Sequence, residues 1–549
     1  MKPLHKSKFL FFIVILATLS ISFTQSDFYR KIANSQRLIN QVYNQIFSTY
    51  VDQLDPEVFT KSSINSITEN LDPYTTLLVE DQQYSIELLT DGKYGGVGIQ
   101  LGYRNKEMTV ISPMSESPAQ KAGIMSGDII KKIDNSEVKD MTFNDAAAKI
   151  RGKRGTKVKL TIKRFGENDD IDFILIRSSI DVKDISYSGM LSPGTGYIRL
   201  NRFSRYSSRD FQKELVELSK NDLSQLIIDL RDNTGGLLSA AVNILDMLIE
   251  KDLPLVSTKG RTKDSNRSFY SKRNPIISKD VRIVVLINKG SASASEIVAG
   301  AIQDLDRGIV IGEKSFGKGL VQTAFEIDKK RTIKITTARY YIPSGRFIQK
   351  RDYIDSKFLM NKTDEDSLFK TRNGRIVYGN GGITPDSIIV DKKMELISTQ
   401  FWRNGYFYSF AQENKFQYES FVDVKKDSDL LNKFIKYIDS RNKATLPGQK
   451  ELLDLENNVI SLDSTDTIAR KALNTLSDFY NKKIAEKTKN ESDQMTQLLL
   501  LEFAGLFNGP EGRIQQSFIN DNVLKTAKNI AEDKSVFVST ISNQQLIEN

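Results

Sequence analysis

The sequence predicts a multidomain α/β protein, in which an α/β core carries a small inserted β domain and has helical regions at both ends. Three observations predict it. Apolar strands alternate with helices over residues 170–390, and glycine turns separate short strands over residues 93–168. Helical periodicity dominates residues 27–90 and 391–549. The length of 549 residues suits several domains of ordinary size.

Composition narrows the class of protein further. Hydrophobic residues make up 39% of the chain and charged residues 27%, which is typical of globular proteins. The formal net charge is +9, but no basic stripe interleaved with aromatic residues is present, so we expect no nucleic-acid partner. The chain has no cysteine, which excludes disulfides and thiolate metal sites.

The N-terminal segment, residues 1–25, has the pattern of a signal peptide or signal anchor. Three lysines within residues 2–8 precede an apolar run over residues 9–23, which is short for a membrane span of ~20 residues. Ser20-Ile21-Ser22 is an acceptable small-x-small cleavage site. We therefore expect export, to the periplasm or to a membrane-anchored position facing it. Whether the segment is cleaved stays open, and a buried core helix is the alternative.

Residues 27–90 are predicted to form a small helical module. Apolar residues recur at intervals of three and four, and a second helix is expected to begin at Asp55-Pro56. The positions on the first apolar face are Ile32, Ile39, Val42, Ile46 and Tyr50. Such a module is a candidate contact of a homodimer, and a simple packing cap explains it equally well.

Residues 93–168 combine glycine turns with short strands in a specific order. A glycine-rich opening, Tyr94-Gly95-Gly96-Val97-Gly98-Ile99, is followed by Ser117-Pro118-Ala119, Gly127-Asp128, a helix over about 143–150 and a last strand over 157–163. This order resembles that of a PDZ domain. In PDZ domains a glycine loop turns its N–H groups toward the terminal carboxylate of a peptide, which adds to the sheet as a strand. The loop here would be Gly96, Val97, Gly98 and Ile99.

The core is predicted to be a mostly parallel sheet covered on both faces. Strands are expected at 196–200, 226–230, 281–287 and 308–311, with helices at 208–220, 237–249 and 296–305. Sites in such sheets lie where strand ends lead into helices. The turns at 231–236 and 288–295 both occupy that position.

The residues of these turns favour a serine nucleophile with a lysine base. The only histidine is His5, in the N-terminal basic segment, so a Ser-His or Cys-His arrangement is excluded. Ser293 begins a predicted helix, and Lys318 follows the next strand. Lys318 must be desolvated to act as a base, because the ordinary lysine pKa is ~10.4. Gln322, four residues later, is expected to orient it.

The same turns supply candidate donors for an oxyanion. The N–H of Ala294 lies in the first turn of a helix, and Gly235 or Gly236 offers a second N–H. The alternative is a serine-rich helix cap and a solvated lysine. The segment 312–319 nearly matches a phosphate-binding loop, but Gly319 replaces the required hydroxyl residue, which argues against a nucleotide site.

Together, several motifs resemble those of the carboxyl-terminal processing (tail-specific) serine proteases, over about residues 30–390. They are the glycine loop 94–99, Asp-Leu-Arg-Asp-Asn-Thr-Gly-Gly at 229–236, Ser-Ala-Ser-Ala-Ser-Glu at 291–296, Phe-Gly-Lys-Gly-Leu-Val-Gln at 316–322, Tyr-Ile-Pro-Ser-Gly-Arg at 341–346 and Gly-Gly-Ile-Thr-Pro-Asp at 381–386. The resemblance implies a crotonase/ClpP-like α/β protease core with a PDZ domain that recognises C-terminal tails of protein substrates.

The resemblance also implies roles for individual residues. Ser293 would be the nucleophile, Lys318 the general base and Gln322 the residue that positions it. Ala294, Gly235 and Gly236 would supply the oxyanion hole. The family members that gate their sites through the PDZ domain are exported, and no cofactor or metal is expected.

Two other functions remain open at this stage. One is a PDZ-bearing scaffold that binds tails on a catalytically silent core, and the other is an acyl-CoA enzyme, because paired oxyanion amides also suit thioester chemistry. Residues 391–549 are predicted to be helical, with an aromatic cluster around Trp402. They are either a solvated cap or a contact for partners.

Overall fold

A computed structural model describes most of the chain in two compact units, residues 1–77 and 78–549. The residues described are 4–79, 88, 90, 92–104, 107–114, 116–125, 127–164, 167, 169–328, 330–350, 368–379, 381–440, 448–462 and 466–542.

The strands and helices of both units are numbered in chain order. The strands are β1 (Thr76–Val79), β2 (Lys93–Gly96), β3 (Ile99–Arg104), β4 (Glu107–Pro113), β5 (Ile129–Ile133), β6 (Ser136–Glu137), β7 (Lys157–Lys163), β8 (Ile171–Ile176), β9 (Ser178–Asp181), β10 (Ile185–Ser192), β11 (Thr195–Leu200), β12 (Gln225–Asp229), β13 (Pro254–Gly260), β14 (Arg267–Tyr270), β15 (Arg282–Ile287), β16 (Gly308–Gly312), β17 (Leu320–Asp328), β18 (Arg331–Tyr341), β19 (Leu368–Lys370), β20 (Ile376–Tyr378) and β21 (Ser387–Ile388). The helices are α1 (Leu4–Thr49), α2 (Pro56–Glu69), α3 (Pro118–Lys121), α4 (Phe143–Ile150), α5 (Ser207–Ser219), α6 (Leu238–Leu245), α7 (Ala294–Asp304), α8 (Leu396–Arg403), α9 (Tyr406–Asn414), α10 (Phe421–Lys426), α11 (Leu430–Asp439), α12 (Gln449–Leu462), α13 (Thr467–Asn490), α14 (Ser492–Ser517), α15 (Asn522–Glu532) and α16 (Lys534–Ile541).

The first unit consists mainly of the helices α1 and α2. The predicted start of the second helix is confirmed, since Asp55 caps α2 by accepting hydrogen bonds from the N–H groups of Glu57 and Val58. Helix α1 runs without a break from the predicted signal segment into the module that follows it. Within the part of the chain that was described, no helix has the length and apolar character needed to cross a membrane.

The small β domain is a sheet in the order β3-β4-β5-β7-β8, with β6 paired to β5. Its apolar core includes Val110, Ile133 and Leu160, which are fully buried. The prediction that residues 157–163 form the last strand is wrong, because β8 pairs with β7 along its whole length. This strand lies at the sheet edge and exposes Ile174, so its apolar residues do not follow the alternation of a half-buried strand.

The core sheet has the order β10-β11-β12-β15-β16-β21, in which every pair except β10–β11 is parallel. The predicted alternation of strands and helices is therefore confirmed. A second sheet contains β13, β14 and the long antiparallel hairpin β17–β18. That hairpin begins directly after Lys318.

Both faces of the core sheet are covered. One face packs on α5, α6 and α7 through a large apolar cluster that includes Leu226, Ile228 and Val285. The opposite face packs on the C-terminal helices α15 and α16 through a second cluster. Its members are Tyr197, Ile227, Val284, Leu286, Ile309, Ile311, Val523, Leu524, Ala527, Ala531 and Phe537. Part of the C-terminal region is thus a layer of the core.

The rest of the C-terminal region has an apolar core of its own. Phe401, Phe407, Phe434 and Phe503 are almost fully buried there, between helices α8 to α11 and α14. Trp402, which the sequence analysis grouped with these aromatic residues, stays 39% exposed. Because these helices bury a core of their own, the alternative of a solvated cap does not apply to this part of residues 391–549.

Candidate active site

The candidate site is built at the carboxyl ends of three neighbouring parallel strands. Strand β12 leads into the turn 230–236, β15 into the turn 288–293, and β16 into the segment 313–319. The carboxyl ends of parallel strands lie at one edge of a sheet, which is where open α/β sheets bind ligands. The fold therefore places Gly235, Ser293 and Lys318 on adjacent connections.

Hydrogen bonds join the first two turns directly. Asn288 donates from Nδ2 to Oδ1 of Asp232 at 2.9 Å and accepts from the Asp232 N–H at 2.9 Å. The Ala292 N–H donates to the carbonyl oxygen of Asn233 at 3.0 Å. These bonds hold the turn 230–236, here called the glycine turn, against the segment 288–295, here called the serine turn.

The three serines of the serine turn have different surroundings. Ser291 and Ser295 are fully buried, and their hydroxyls donate to the carbonyl oxygens of Leu230 at 2.7 Å and Asn233 at 2.8 Å. Ser293 is only half-buried. Of the three, Ser293 is therefore the serine whose side chain a substrate can reach.

Ser293 also has a strained backbone. Its φ of 57° and ψ of −114° lie outside the regions that residues with a Cβ prefer, and it directly precedes helix α7. Other hydrolases expose their nucleophilic serine on a strained turn between a strand and a helix. Ser293 shares this strained position, and its role as the nucleophile stays a prediction.

The structure distinguishes between the two glycines predicted as oxyanion donors. The Gly235 N–H donates to Oδ1 of Asn233 at 2.9 Å and is therefore occupied. For the Gly236 N–H, no hydrogen bond is found within the described residues. The Ala294 N–H lies in the first turn of α7, where helical N–H groups have no partner in the helix. Ala294 and Gly236 are thus the better pair.

Gly235 is needed for the close approach of the two turns. Its φ is +98°, and a Cβ at this position would lie 2.8 Å from the Ser293 Cβ and 2.9 Å from the Ala294 nitrogen. A side chain here would collide with the serine turn. Gly235 therefore has a packing role, and its predicted role as an oxyanion donor stays a prediction.

Glu296 holds the backbones of Ser293 and Lys318 together. This fully buried carboxylate accepts through Oε2 from the Ser293 N–H at 2.8 Å and from the Lys318 N–H at 2.9 Å. Through Oε1 it accepts from the Ser315 hydroxyl at 2.6 Å and from the Gly317 N–H at 2.7 Å. This role was not predicted from the sequence, although an acidic residue three positions after a helix cap is a signal for it.

Glu296 has an unusual protonation equilibrium for a carboxyl group. Burial raises its pKa to about 7, although the hydrogen bonds from Ser315 and from the N–H groups of Lys318, Ser293 and Gly317 act in the opposite direction. The carboxylate that joins the two segments is thus fully ionised only above neutral pH.

Tyr340 makes a second connection between the same two segments. It is 1% exposed, and its hydroxyl contacts the carbonyl oxygens of Ser293, at 3.2 Å, and of Lys318. Tyr340 was not predicted to belong to the site, because in the sequence it is one aromatic residue of an alternating strand. Only the pairing of β18 with β17 brings it beneath the site.

The segment around Lys318 packs tightly at its two flanking glycines. Gly317 and Gly319 are buried, while Lys318 is half-buried. Gly317 has a φ of +87°, and a Cβ there would lie 2.9 Å from the Gly381 carbonyl carbon. The Gly319 N–H donates to Oε1 of the buried Gln349 at 2.9 Å. The segment is therefore fixed on both sides of Lys318.

Among the described residues no hydrogen bond to Lys318 is found for Gln322, whose role in orienting that lysine stays a prediction. The Nε2 of Gln322 instead donates to Oγ1 of Thr336 on the paired strand β18, at 3.4 Å. The prediction assumed one regular extended segment from Lys318 to Gln322. Strand β17 begins only at Leu320, and its pairing with β18 shifts register between Val321 and Gln322.

The predicted carboxylate-binding loop, Gly96 to Ile99, lies between β2 and β3 of the small domain. The carbonyl oxygens of Val97 and Gly98 accept from the N–H groups of Ala119 at 3.0 Å and Met114 at 2.8 Å. For the N–H groups of Val97 and Gly98, no hydrogen bond is found within the described residues. The loop thus has donors to offer, as a carboxylate site needs.

Comparisons with known proteins agree with this architecture. Residues 194–356 match the model of "Peptidase family S41", and residues 95–175 match that of the "PDZ domain". A carboxy-terminal-processing protease from Bartonella bacilliformis is 34% identical over 341 residues, which cover 61% of this chain and 77% of that protein. The chain belongs to the carboxy-terminal-processing proteases of peptidase family S41. It is a serine protease with a PDZ domain.

One further curated protein and one solved structure are similar to this S41 protease. The carboxy-terminal processing protease CtpA of Bacillus subtilis is 34% identical over 314 residues, which cover 57% of this chain and 66% of that protein. A solved structure, the photosystem II D1 C-terminal processing protease, has 27% sequence identity and a TM-score of 0.37, covering 64% of this chain and 86% of that chain.

Proposed function

We propose that this S41 protease cleaves protein substrates near their C-termini with a Ser293–Lys318 catalytic dyad. One observation carries the proposal: a single carboxylate oxygen, Oε2 of Glu296, accepts hydrogen bonds from the N–H groups of both Ser293 and Lys318. The backbone nitrogens of the half-buried serine and the half-buried lysine therefore lie 2.8 Å and 2.9 Å from the same oxygen atom. The described residues include no cluster of side chains that suits a metal ion.

In the proposed reaction, Lys318 is neutral at the start and takes the proton from the Ser293 hydroxyl. The Ser293 Oγ then bonds to the carbonyl carbon of the scissile peptide, whose oxygen becomes an oxyanion facing the N–H groups of Ala294 and Gly236. Lys318 passes the proton to the leaving amine as the C–N bond breaks. Water, deprotonated in turn by Lys318, hydrolyses the acyl-enzyme and restores both residues.

We further propose that the PDZ loop selects the substrate by its free C-terminus. Support comes from the N–H groups of Val97 and Gly98, for which the described residues offer no acceptor. A peptide carboxylate would supply one, and the chain leading to it would add along strand β3. Recognition would thus depend on the terminal charge and cleavage on the separate Ser293 site.

The test is proteolysis of an unstructured reporter with an apolar C-terminus, supplied with a free or an amidated tail. We expect wild type to cleave the free-tail reporter at a higher kcat/KM than the amidated one, and Ser293→Ala to cleave neither. The matched control is Ser278→Ala, which changes an exposed serine outside the turns of the site and should retain cleavage. Cleavage that survives Ser293→Ala would remove Ser293 as the nucleophile, and equal cleavage of both tails would remove the carboxylate-reading role.

Export is the second part of the proposed function. Its support is the order of a basic start and an apolar run within residues 1–25. A fusion of residues 1–30 to a phosphatase that is active only outside the cytoplasm should be active in a bacterial host. The same fusion with the apolar run replaced by polar residues should be inactive, and activity of both fusions would contradict export. A homodimer, and membrane attachment through an uncleaved N-terminal segment, stay predictions.

A further inference from the structure

The residue that precedes the C-terminal helix α15 contacts the turn that carries one of the two proposed oxyanion donors, Gly236, although α15 lies outside both matched family models. Asp521 immediately precedes α15, and both of its carboxylate oxygens accept hydrogen bonds from Arg231. Nη1 of Arg231 lies 3.0 Å from Oδ1, and Nη2 lies 2.6 Å from Oδ2. The pair is bidentate and largely buried, with 11% of the Arg231 side chain and 13% of the Asp521 side chain exposed.

On its other side, Arg231 is bound to the end of strand β12. Its Nε and Nη2 donate to the fully buried Asp229 at 2.6–3.1 Å, and Asp229 also accepts from the Tyr197 hydroxyl at 2.7 Å. Burial opposes the ionisation of Asp229, but the charge and hydrogen bonds of Arg231 outweigh it and hold the pKa below its ordinary value. One guanidinium group thus joins two hydrogen-bonded carboxylates from distant parts of the chain, and an oxygen of a third carboxylate, Oδ2 of Asp391, lies 4.0 Å from its Nη1.

The position of Asp521 is fixed by the helix that follows it. Its Oδ1 caps α15 by accepting from the Leu524 N–H at 2.8 Å, and Val523 and Leu524 are almost fully buried against the core sheet. At the far end of α15, Nε of Arg282 donates to the Ala531 carbonyl oxygen at 2.6 Å. Asp521 is therefore held in place by a helix that packs against the core sheet.

Arg231 lies near the start of the turn 230–236, which ends in Gly235 and Gly236. The turn is bound to the serine turn through Asp232 and Asn233, so a displacement of Arg231 is transmitted to both donors of the oxyanion hole. We infer that Asp521 is a positioning residue for peptide cleavage: helix α15 uses it to hold Arg231, and through Arg231 the turn that presents the Gly236 N–H. This inference rests on the proposed Ser293 chemistry.

The test is Asp521→Asn, with Asp533→Asn as its matched control. Asparagine is as good a helix cap as aspartate, so the first variant loses the negative charge and one acceptor toward Arg231 but keeps the cap of α15. Asp533 caps α16 in the same way, by accepting from the N–H groups of Ser535 at 2.9 Å and Val536 at 3.2 Å. No contact between Asp533 and Arg231 is found among the described side chains.

For Asp521→Asn we expect kcat on the free-tail reporter to fall about tenfold with KM unchanged, because displacement of an oxyanion donor affects the transition state more than substrate binding. Asp533→Asn should keep the wild-type kcat. A kcat of Asp521→Asn within twofold of wild type, an equal loss in both variants, or a change in KM alone would overturn the inference.

A second variant covers the case in which Asp521→Asn does not fold. Arg231→Lys keeps the charge but cannot bind two carboxylates in the same plane, so it should lower kcat at unchanged KM. A wild-type kcat in this variant would overturn the inference. Failure of the proposed function itself is recognised separately, since it would appear as cleavage that survives Ser293→Ala.

Discussion

Lys318→Ala is expected to lower kcat for cleavage of an unstructured peptide by about 10²–10⁴-fold, the range that general acid–base catalysis contributes, with KM close to wild type. The one histidine of the chain that could replace Lys318 as a base is His5, which belongs to the N-terminal basic segment. Steady-state kinetics on the free-tail reporter measure the effect. Lys314→Ala is the matched control, because Lys314 is an exposed lysine of the same segment.

Lys318→Arg separates a base from a mere positive charge. A guanidinium group keeps the charge but is not deprotonated in proteins, so it cannot accept the Ser293 proton. We therefore expect Lys318→Arg to be as inactive as Lys318→Ala. Substantial activity in Lys318→Arg would show that the lysine acts as an electrostatic group, and a kcat of Lys318→Ala equal to that of Lys314→Ala would remove Lys318 from the mechanism.

Glu296→Gln is expected to lower kcat by about 100-fold, since small displacements of reacting groups have effects of this size. The amide nitrogen of glutamine would face N–H donors in place of one acceptor oxygen, and each buried N–H left unpaired costs about 1–3 kcal/mol of the free energy of unfolding. Glu502→Gln is a control for the loss of a buried carboxylate elsewhere, since Glu502 pairs with Arg513 at 3.0 Å in the C-terminal helical core. It should lower the free energy of unfolding but leave kcat unchanged.

The pH dependence of this destabilisation follows from the raised pKa of Glu296. Between 4.5, the ordinary value, and about 7, the folded protein holds a proton on Glu296 that the unfolded chain has released. The free energy of unfolding of wild type therefore decreases with pH in this window, by up to about 1.4 kcal/mol per pH unit, and Glu296→Gln lacks this contribution. The difference in the free energy of unfolding between wild type and Glu296→Gln should thus shrink as the pH rises from about 4.5 to about 7. Urea unfolding of both proteins across this pH range measures it. A constant difference would contradict the raised pKa.

Much of the fold could be predicted from local patterns. The strands β11, β12, β15 and β16 lie within one residue of their predicted bounds, because each is a short apolar run bordered by polar turns. Strand β8 was missed because an edge strand buries few of its residues, so its pattern carries little information. The family resemblance rested on motifs that are contiguous in the chain, and comparison with known proteins confirmed it.

The sequence by itself determined the family, the α/β core and the two catalytic candidates, because contiguous residues carry that information. Ser293 could be selected as the middle serine of Ser-Ala-Ser-Ala-Ser, and Lys318 as the lysine of Phe-Gly-Lys-Gly, because each motif is contiguous in the chain. Tertiary structure alone decided how they are held. Glu296 and Tyr340 connect the two segments, and Asp521 reaches Arg231 across 290 positions of the chain. These are contacts between buried polar groups, and a buried polar residue shows in a sequence only as a polar residue, without its partners.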